Sequence, residues 1–249
     1  MNKKTVFVTG ATSGVGLKIT QYLIEEGHHV IATGRNEAAL NTLKRLGAQV
    51  FQADLTKIAD IKEVCSKLPS IDVAIFSAGV GKFGLATDLI EEEIQQMVEL
   101  NVLAPMFLAK YVGKKMIERR EGHLIFLGSQ AGKVATPKAS VYAATKHAIV
   151  GFVNGLRMEL GPYNVKVTAI HPGPIDTPFL DKADDTNKYR ASVSRFLLSP
   201  EEVARATVQM IYKPKREINL PRYMALSSKL YALAPSLFET VGKRFFDKK

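Results

Sequence analysis

Cysteine is almost absent from this 249-residue chain: the single Cys65 excludes an intrachain disulfide and fits a reducing compartment. No histidine or second cysteine lies close to it in sequence, so no metal site is expected there, and Cys65 reads as a small side chain on a helix. Uninterrupted apolar runs of the roughly 18 residues that a spanning helix needs are also missing. Near the start, Thr9-Gly10 interrupts the apolar Val6-Phe7-Val8 before an export signal could form, so the expected location is the cytoplasm. The net charge is +10, yet no basic stripe interleaved with aromatics, no zinc knuckle and no recognisable nucleic-acid module accompanies it. Nucleic acid is therefore not an expected partner; the charge suits a solubilising surface, a phosphorylated cofactor or a membrane surface. Repeats, low-complexity tracts and Pro/Gly/Ser linkers are lacking too, and 46% hydrophobic with 23% charged residues is a globular balance. One domain spanning 1–249 is expected.

What the chain does contain is an alternation of short β-branched runs with longer segments of helical period. Strands are expected at Thr5–Thr9, Val30–Thr33, Gln49–Gln52, Val73–Phe76, Leu124–Leu127, Lys166–Ile170 and Glu217–Leu220. Helices are expected at Val15–Glu26, Glu37–Leu46, Ile58–Leu68, Glu91–Glu118, Val141–Leu160 and Pro200–Ile211. The order predicts an α/β fold, a doubly wound, Rossmann-like, seven-stranded parallel sheet with helices on both faces. Two regions break the rhythm. Residues 172–199 read as a loop or short helices, with Asp181, Asp184 and Asp185 in the middle, and a stretch that long suggests a substrate loop. Residues 221–249 form a tail expected to be helical.

The segment Thr9-Gly10-Ala11-Thr12-Ser13-Gly14-Val15-Gly16 ends the first strand and opens the first helix. Gly10 permits the tight turn, Gly14 lets the backbone approach a pyrophosphate, and Gly16 allows close helix-strand packing. The helix N-terminus adds free N–H donors and partial positive charge. Thr-Gly-x-x-x-Gly-x-Gly at this place resembles the cofactor signature of the short-chain dehydrogenase/reductase family, and later motifs follow that family's order across nearly the whole chain. The resemblance implies that Asp54 and Leu55, in Ala53-Asp54-Leu55-Thr56, lie against the adenine. It also aligns Ser77-Ala78-Gly79 with the family's Asn-Asn-Ala-Gly, so that Ala78 and Gly79 leave room for cofactor while Phe76 and Ser77 replace the two asparagines. At the end of the second strand, where an acidic residue would accept from the ribose of NAD, the chain has Thr33-Gly34-Arg35-Asn36. Gly34 removes the carboxylate and Arg35 offers a planar donor fork suited to a 2′-phosphate, which favours NADP(H) over NAD.

Tyr142 and Lys146 are four residues apart in Tyr142-Ala143-Ala144-Thr145-Lys146 and share a helix face. A phenol that exchanges a proton with a carbonyl oxygen near neutral pH needs its pKa lowered from about 10, and a nearby ammonium would lower it. By the resemblance, Ser129 hydrogen-bonds the substrate oxygen, Tyr142 acts as acid/base, Lys146 also binds the nicotinamide ribose, and Asn101 orients a water in a proton relay. Asn101 also reads as the site of a helix kink. The resemblance further runs Pro172-Gly173 under the nicotinamide and puts Ile175 and Thr177 at its carboxamide, while His171 reads as packed. No metal is expected.

The expected function is interconversion of a carbonyl and an alcohol with NADP(H) on a small, lipophilic substrate. The alternatives are a dehydrogenase or epimerase of a soluble hydroxy compound, and a non-catalytic NADP-sensing regulator. The family commonly dimerises through helices that here are Glu91–Glu118 and Val141–Leu160, so a homodimer or homotetramer is expected, with Ala148, Phe152 and Leu156 as interface or core. In the tail, Leu226, Leu230, Leu233, Leu237, Val241 and Phe245 recur at steps of three or four, and Pro235 is expected to divide the segment into two helices. That stripe suits the protein's own cleft or a partner subunit, and the surrounding basic residues suit peripheral contact with a membrane.

Overall fold

A computed structural model of the chain describes residues 3–184, 186, 188–237 and 239–240. Seven strands form one parallel sheet: β1 (Thr5–Thr9), β2 (His29–Gly34), β3 (Gln49–Gln52), β4 (Val73–Phe76), β5 (Gly122–Leu127), β6 (Val165–Pro172) and β7 (Glu217–Leu220). Their order across the sheet is β3-β2-β1-β4-β5-β6-β7. The first two crossovers step one way across the sheet and the later four the other, so the order reverses between β1 and β4, the place where open α/β sheets present a ligand crevice.

The strands read as continuous apolar runs because helices cover both faces. All four residues of β4 are buried. On one face lie α3 (Ile58–Lys67), α5 (Ala104–Arg119) and α6 (Ser140–Leu160), packed around Phe7, Phe126, Leu108 and Met116. On the other lie α1 (Gly14–Glu25), α2 (Glu37–Arg45) and α9 (Pro200–Tyr212), packed around Val8, Ile19, Leu23 and Ile75. Each such fully buried aliphatic or aromatic side chain contributes about 1.5–3 kcal/mol, which holds both layers on the sheet. Local signals set the helix starts: Asn36 accepts from Ala39 N–H at α2, and Ser199 accepts from Glu202 N–H at α9, with Pro200 following.

The expected Glu91–Glu118 helix is divided. It runs as α4 (Glu91–Val98), a π-helical turn over Glu99–Leu103, and then α5. Pro105 explains the break: it has no N–H to donate to the carbonyl four residues back, which is that of Asn101. The 172–199 segment contains two short helices, α7 (Pro178–Ala183) and α8 (Lys188–Val193), and a 3₁₀ turn at Ser194–Phe196. Its neck is closed where Ile175 pairs with Leu198 and Leu198 N–H donates to the Pro174 carbonyl.

In the tail, α10 (Met224–Leu233) ends at Ala234 and helical backbone resumes at Pro235. Leu226, Leu230, Leu233 and Leu237 are exposed rather than packed on the cleft, which overturns that expectation for the described residues. Asp185, Val241, Phe245 and the basic residues beyond position 241 lie outside the described residues. Leu156 belongs to the core with Phe152 packed against it, whereas Ala148 is exposed. No helix among the described residues is long and apolar enough to cross a membrane.

Candidate active site

The loop after β1 begins at Gly10, whose φ of +66° places it in the left-handed region. A Cβ at Gly10 would stand 2.7 Å from the Ala78 Cα, and one at Gly16 would stand 2.2 Å from the Gly10 carbonyl oxygen. The turn is therefore open only to glycine at both positions, and it brings the backbone of α1 close to the ends of β1 and β4. Ser13 caps α1 in extended conformation without a side-chain hydrogen bond, and the first turn carries no acidic residue. Its N–H groups and dipole thus face the cavity as an anion cradle. Thr9 Oγ1 accepts from the N–H of Ser77 at 3.1 Å and of Ala78 at 3.2 Å, locking the loops after β1 and β4 together. Thr9 was not singled out in sequence, although Thr-Gly opens the motif that contains it.

At the end of β2, a Cβ on Gly34 would meet Thr12 Oγ1 at 2.7 Å and Thr12 Cγ2 at 2.5 Å. Thr12 fills the place of the side chain that Gly34 lacks, so no carboxylate fits there without moving the loop. Arg35 lines the cavity. Asp54 is next along: burial alone would raise its pKa, but hydrogen bonds from the Thr56 N–H and hydroxyl, with Arg35 and Lys57 nearby, hold it below the ordinary value.

One cavity of about 1800 Å³ joins these elements to the helix α6 residues. Gly10, Ser13, Gly14, Val15, Gly16, Arg35, Ala78, Gly79, Ser129, Tyr142, Lys146, Pro172, Gly173, Ile175 and Thr177 all line it. Thr12, Asp54, Leu55 and Asn101 do not form its lining: Thr12 backs it at Gly34, Leu55 sits in the core, and Asn101 stands behind the wall. Asn101 is buried in the π turn, where its Oδ1 accepts from Val80 N–H at 2.9 Å and its Nδ2 donates to the Val80 carbonyl at 2.8 Å and Thr145 Oγ1 at 3.1 Å. Its side-chain amide clamps the wall at Val80, which leaves the backbone carbonyl as the group free of its usual helical donor.

Ser129 ends the β5 loop and accepts from Ala131 N–H at 3.0 Å, and its hydroxyl also bonds the Tyr142 phenol. Burial raises the phenol's pKa above its ordinary value; the Ser129 bond opposes this and Tyr189 adds to it. Lys146 Nζ lies 5.6 Å from the centre of the Tyr142 ring and 3.4 Å from the Leu127 carbonyl, and burial brings its pKa down to about 8. The lowering of the phenol expected from a neighbouring ammonium is absent here: desolvation is the largest influence on both groups. Tyr142 keeps its proton, and Lys146 is the group that titrates first.

Aromatic side chains surround Tyr142 on the substrate side. Phe83 meets it edge-on at 5.8 Å, Phe179 lies 5.7 Å away, and Tyr189 packs on Phe83 at 4.6 Å between ring centres. Phe83 and Tyr189 carry no local sequence signal, because they come from the loop after β4 and from α8 and meet only in the fold. His171 is buried with neither ring nitrogen hydrogen-bonded, its Nε2 being 3.6 Å from Glu217 Oε2, in keeping with a packed residue. Groups of three or more His, Cys, Asp or Glu able to hold a metal are absent among the described residues.

Known proteins with this arrangement are numerous. A family model described as short chain dehydrogenase matches residues 4–188. An uncharacterized oxidoreductase of Staphylococcus aureus (strain MRSA252) is 32% identical over 86% of this chain and 94% of its own. Among solved structures, the closed form of a serine dehydrogenase complexed with NADP⁺ is 33% identical with a TM-score of 0.81, covering 87% of this chain and 94% of that one. A short-chain dehydrogenase from Sphingobium yanoikuyae in complex with NADPH is 26% identical, also at 0.81, covering 94% and 96%.

Proposed function

The chain belongs to the short-chain dehydrogenase/reductase family of NAD(P)-dependent oxidoreductases, and from that premise we propose that it reduces a lipophilic ketone or aldehyde with NADPH. The observation that carries this reading is one cavity with Ser129, Tyr142 and Lys146 at one end and an uncapped helix N-terminus between tight glycines at the other.

The residues present fit the cofactor. The N–H groups at Ser13–Gly16 would hold the pyrophosphate, and Arg35, with no carboxylate tolerated at Gly34, would hold a 2′-phosphate. Asp54, beside Arg35, would approach the adenine with Leu55 packed in the core behind it, and Lys146 would approach the nicotinamide ribose. Pro172, Gly173, Ile175 and Thr177 would hold the nicotinamide; within the chain, Thr177 packs on Gly14 and Gly173 on Met224. When bound, the cofactor would supply the hydride. Everything else falls to the chain: Ser129 donates to the carbonyl oxygen, and Tyr142, held protonated by burial, gives that oxygen its proton as charge develops there. Lys146 returns a proton toward Tyr142, resupplied through water at the Asn101 backbone carbonyl in the π turn.

Phe83, Phe179 and Tyr189 around Tyr142 support a lipophilic substrate. A second reading, a soluble hydroxy acid, is favoured by the likeness to a serine dehydrogenase. A ketone series of increasing alkyl length, read by NADPH absorbance beside serine with NADP⁺, separates the two. Catalytic efficiency should rise with chain length; a flat or falling series with serine turnover would reject the lipophilic site. Exposed Val98 and Leu103 at the end of α4 and in the π turn, with exposed Ala148 and Met158 on α6, support a homodimer or homotetramer with one 1–249 domain per subunit.

A further inference from the structure

The helix α10 has two unlike faces. Its inward face closes the cavity: Met224 and Ser227 line it, the Met224 sulfur packs on Gly173, and Ser228 is buried. Its outward face carries Leu226, Leu230 and Leu233, 63%, 50% and 83% exposed, and the same spacing continues to Leu237 at 66%. Tyr223 at the start of the helix is 57% exposed. Single exposed leucines are ordinary on a protein surface, but a continuous apolar stripe along one helix marks a contact.

Charge chooses the occupant. From Arg222 to the end, the sequence holds six basic residues (Arg222, Lys229, Lys243, Arg244, Lys248 and Lys249) against the acids Glu239 and Asp247. Arg222 and Lys229 flank the apolar stripe itself. The pattern recurs elsewhere in the cavity lining, where exposed Phe196 follows Arg195, both lining the same cavity as Met224 and Ser227. A leucine stripe bordered by cations is the composition of a helix that lies in the headgroup layer of an anionic bilayer. No described helix is long and apolar enough to span, so such contact is peripheral.

We infer that α10 docks the mouth of the active-site cavity onto an anionic lipid surface, its leucines entering the headgroup boundary and its inward face framing the route from bilayer to Tyr142. Docking stands on the exposed stripe and the charges; that substrate arrives by this route rests on the proposed lipophilic carbonyl.

The test uses the full chain in flotation with vesicles of pure phosphatidylcholine or of phosphatidylcholine mixed with phosphatidylglycerol, at low and high salt. Wild type should float with the anionic vesicles at low salt, and substantially less at high salt or with neutral lipid. The exposed double variant Leu230→Glu, Leu233→Glu should lose at least about tenfold in partitioning, whereas Leu233→Phe should retain it. NADPH oxidation with a short water-soluble ketone should be unchanged in both variants, which separates loss of docking from loss of fold. Failure of wild type to float at low salt overturns the inference, as does equal flotation of the double variant. Conversion of a wild-type dimer to monomer by the double variant, with no flotation of wild type, would assign the face to a second copy of the chain instead. A flat ketone series with intact flotation would remove the lipophilic substrate and leave the docking surface.

Discussion

At the glycine end of the cavity, backbone meets backbone: a Cβ at Gly16 would strike the Gly10 carbonyl, one at Gly10 would strike Ala78, and Thr9 bonds two main-chain N–H groups. At the other end, side chains from the 81–83 loop, α6, α7 and α8 meet around Tyr142, and Arg190 ties α8 to Asp176, Asp181 and the Thr177 carbonyl. The first construction fixes a shape that any dinucleotide shares, because a backbone cradle recognises phosphate without reading the rest of the molecule. The second can change with each substitution while the sheet stays as it is, which is where substrate choice can diverge.

The sharpest way to break that contrast is Tyr142→Phe, which removes one oxygen at the side-chain end. Turnover should fall by about a hundredfold to ten-thousandfold, the range for a general acid, while NADPH affinity stays within about twofold. Near-normal turnover would remove Tyr142 from the chemistry. Lys146 comes next. Its pKa in the folded chain is brought down to about 8 from an ordinary 10.5, so between those values the folded chain binds fewer protons than the unfolded one. Stability of the cofactor-free protein should therefore carry the full cost of the buried charge below pH 8 and rise as pH climbs from 8 toward 10.5, by on the order of 3 kcal/mol at most. Denaturant unfolding of wild type and Lys146→Met at both ends of that window checks this. Parallel pH dependences in the two proteins would show that Lys146 is not the group responsible.

The backbone end was far more legible in sequence than the side-chain end. Strand positions emerged within a few residues because runs such as Val73–Phe76 are buried on both faces and are apolar throughout. The glycine turn and the four-residue spacing of Tyr142 and Lys146 were legible as local patterns, and Ser129 through the resemblance to the family. Phe83 beside Tyr189 was not, since a contact between a loop after β4 and a helix after β6 leaves no local pattern. The helix kink read at Asn101 is the π turn, and its cause is Pro105, four residues on, where an α-helix would need its N–H. The direction of the Tyr142 shift was misjudged because charge proximity is visible in a four-residue spacing and burial is not.

Arg35→Ala tests whether the backbone end is indifferent to nucleotide identity outside this one side chain. NADPH affinity should fall about tenfold to a hundredfold, the loss expected for charge-assisted bonds to phosphate, and NADH affinity should hardly move. Isothermal titration with both nucleotides reads it. Equal losses would mean that Arg35 supports the loop and does not read the phosphate.

The smallest effect is expected from Arg190→Ala, and it bears most directly on whether the two ends are separate. The Arg190 guanidinium reaches Asp176, Asp181 at 3.0 Å and the Thr177 carbonyl at 3.0 Å, holding α8 and with it Tyr189 against Phe83. Partly exposed ion pairs contribute little individually, but the fork geometry here fixes three points of one segment. Loosening it should raise KM for the carbonyl substrate severalfold with kcat changed less, and Arg190→Lys should restore only part, because an ammonium cannot span the same three acceptors. Thr177, however, also packs on Gly14, its methyl 3.4 Å from where a Cβ would stand. If NADPH affinity falls as far as the substrate KM rises, the segment transmits to the glycine loop through Thr177, and the contrast between a fixed cofactor end and a variable substrate end fails at that contact.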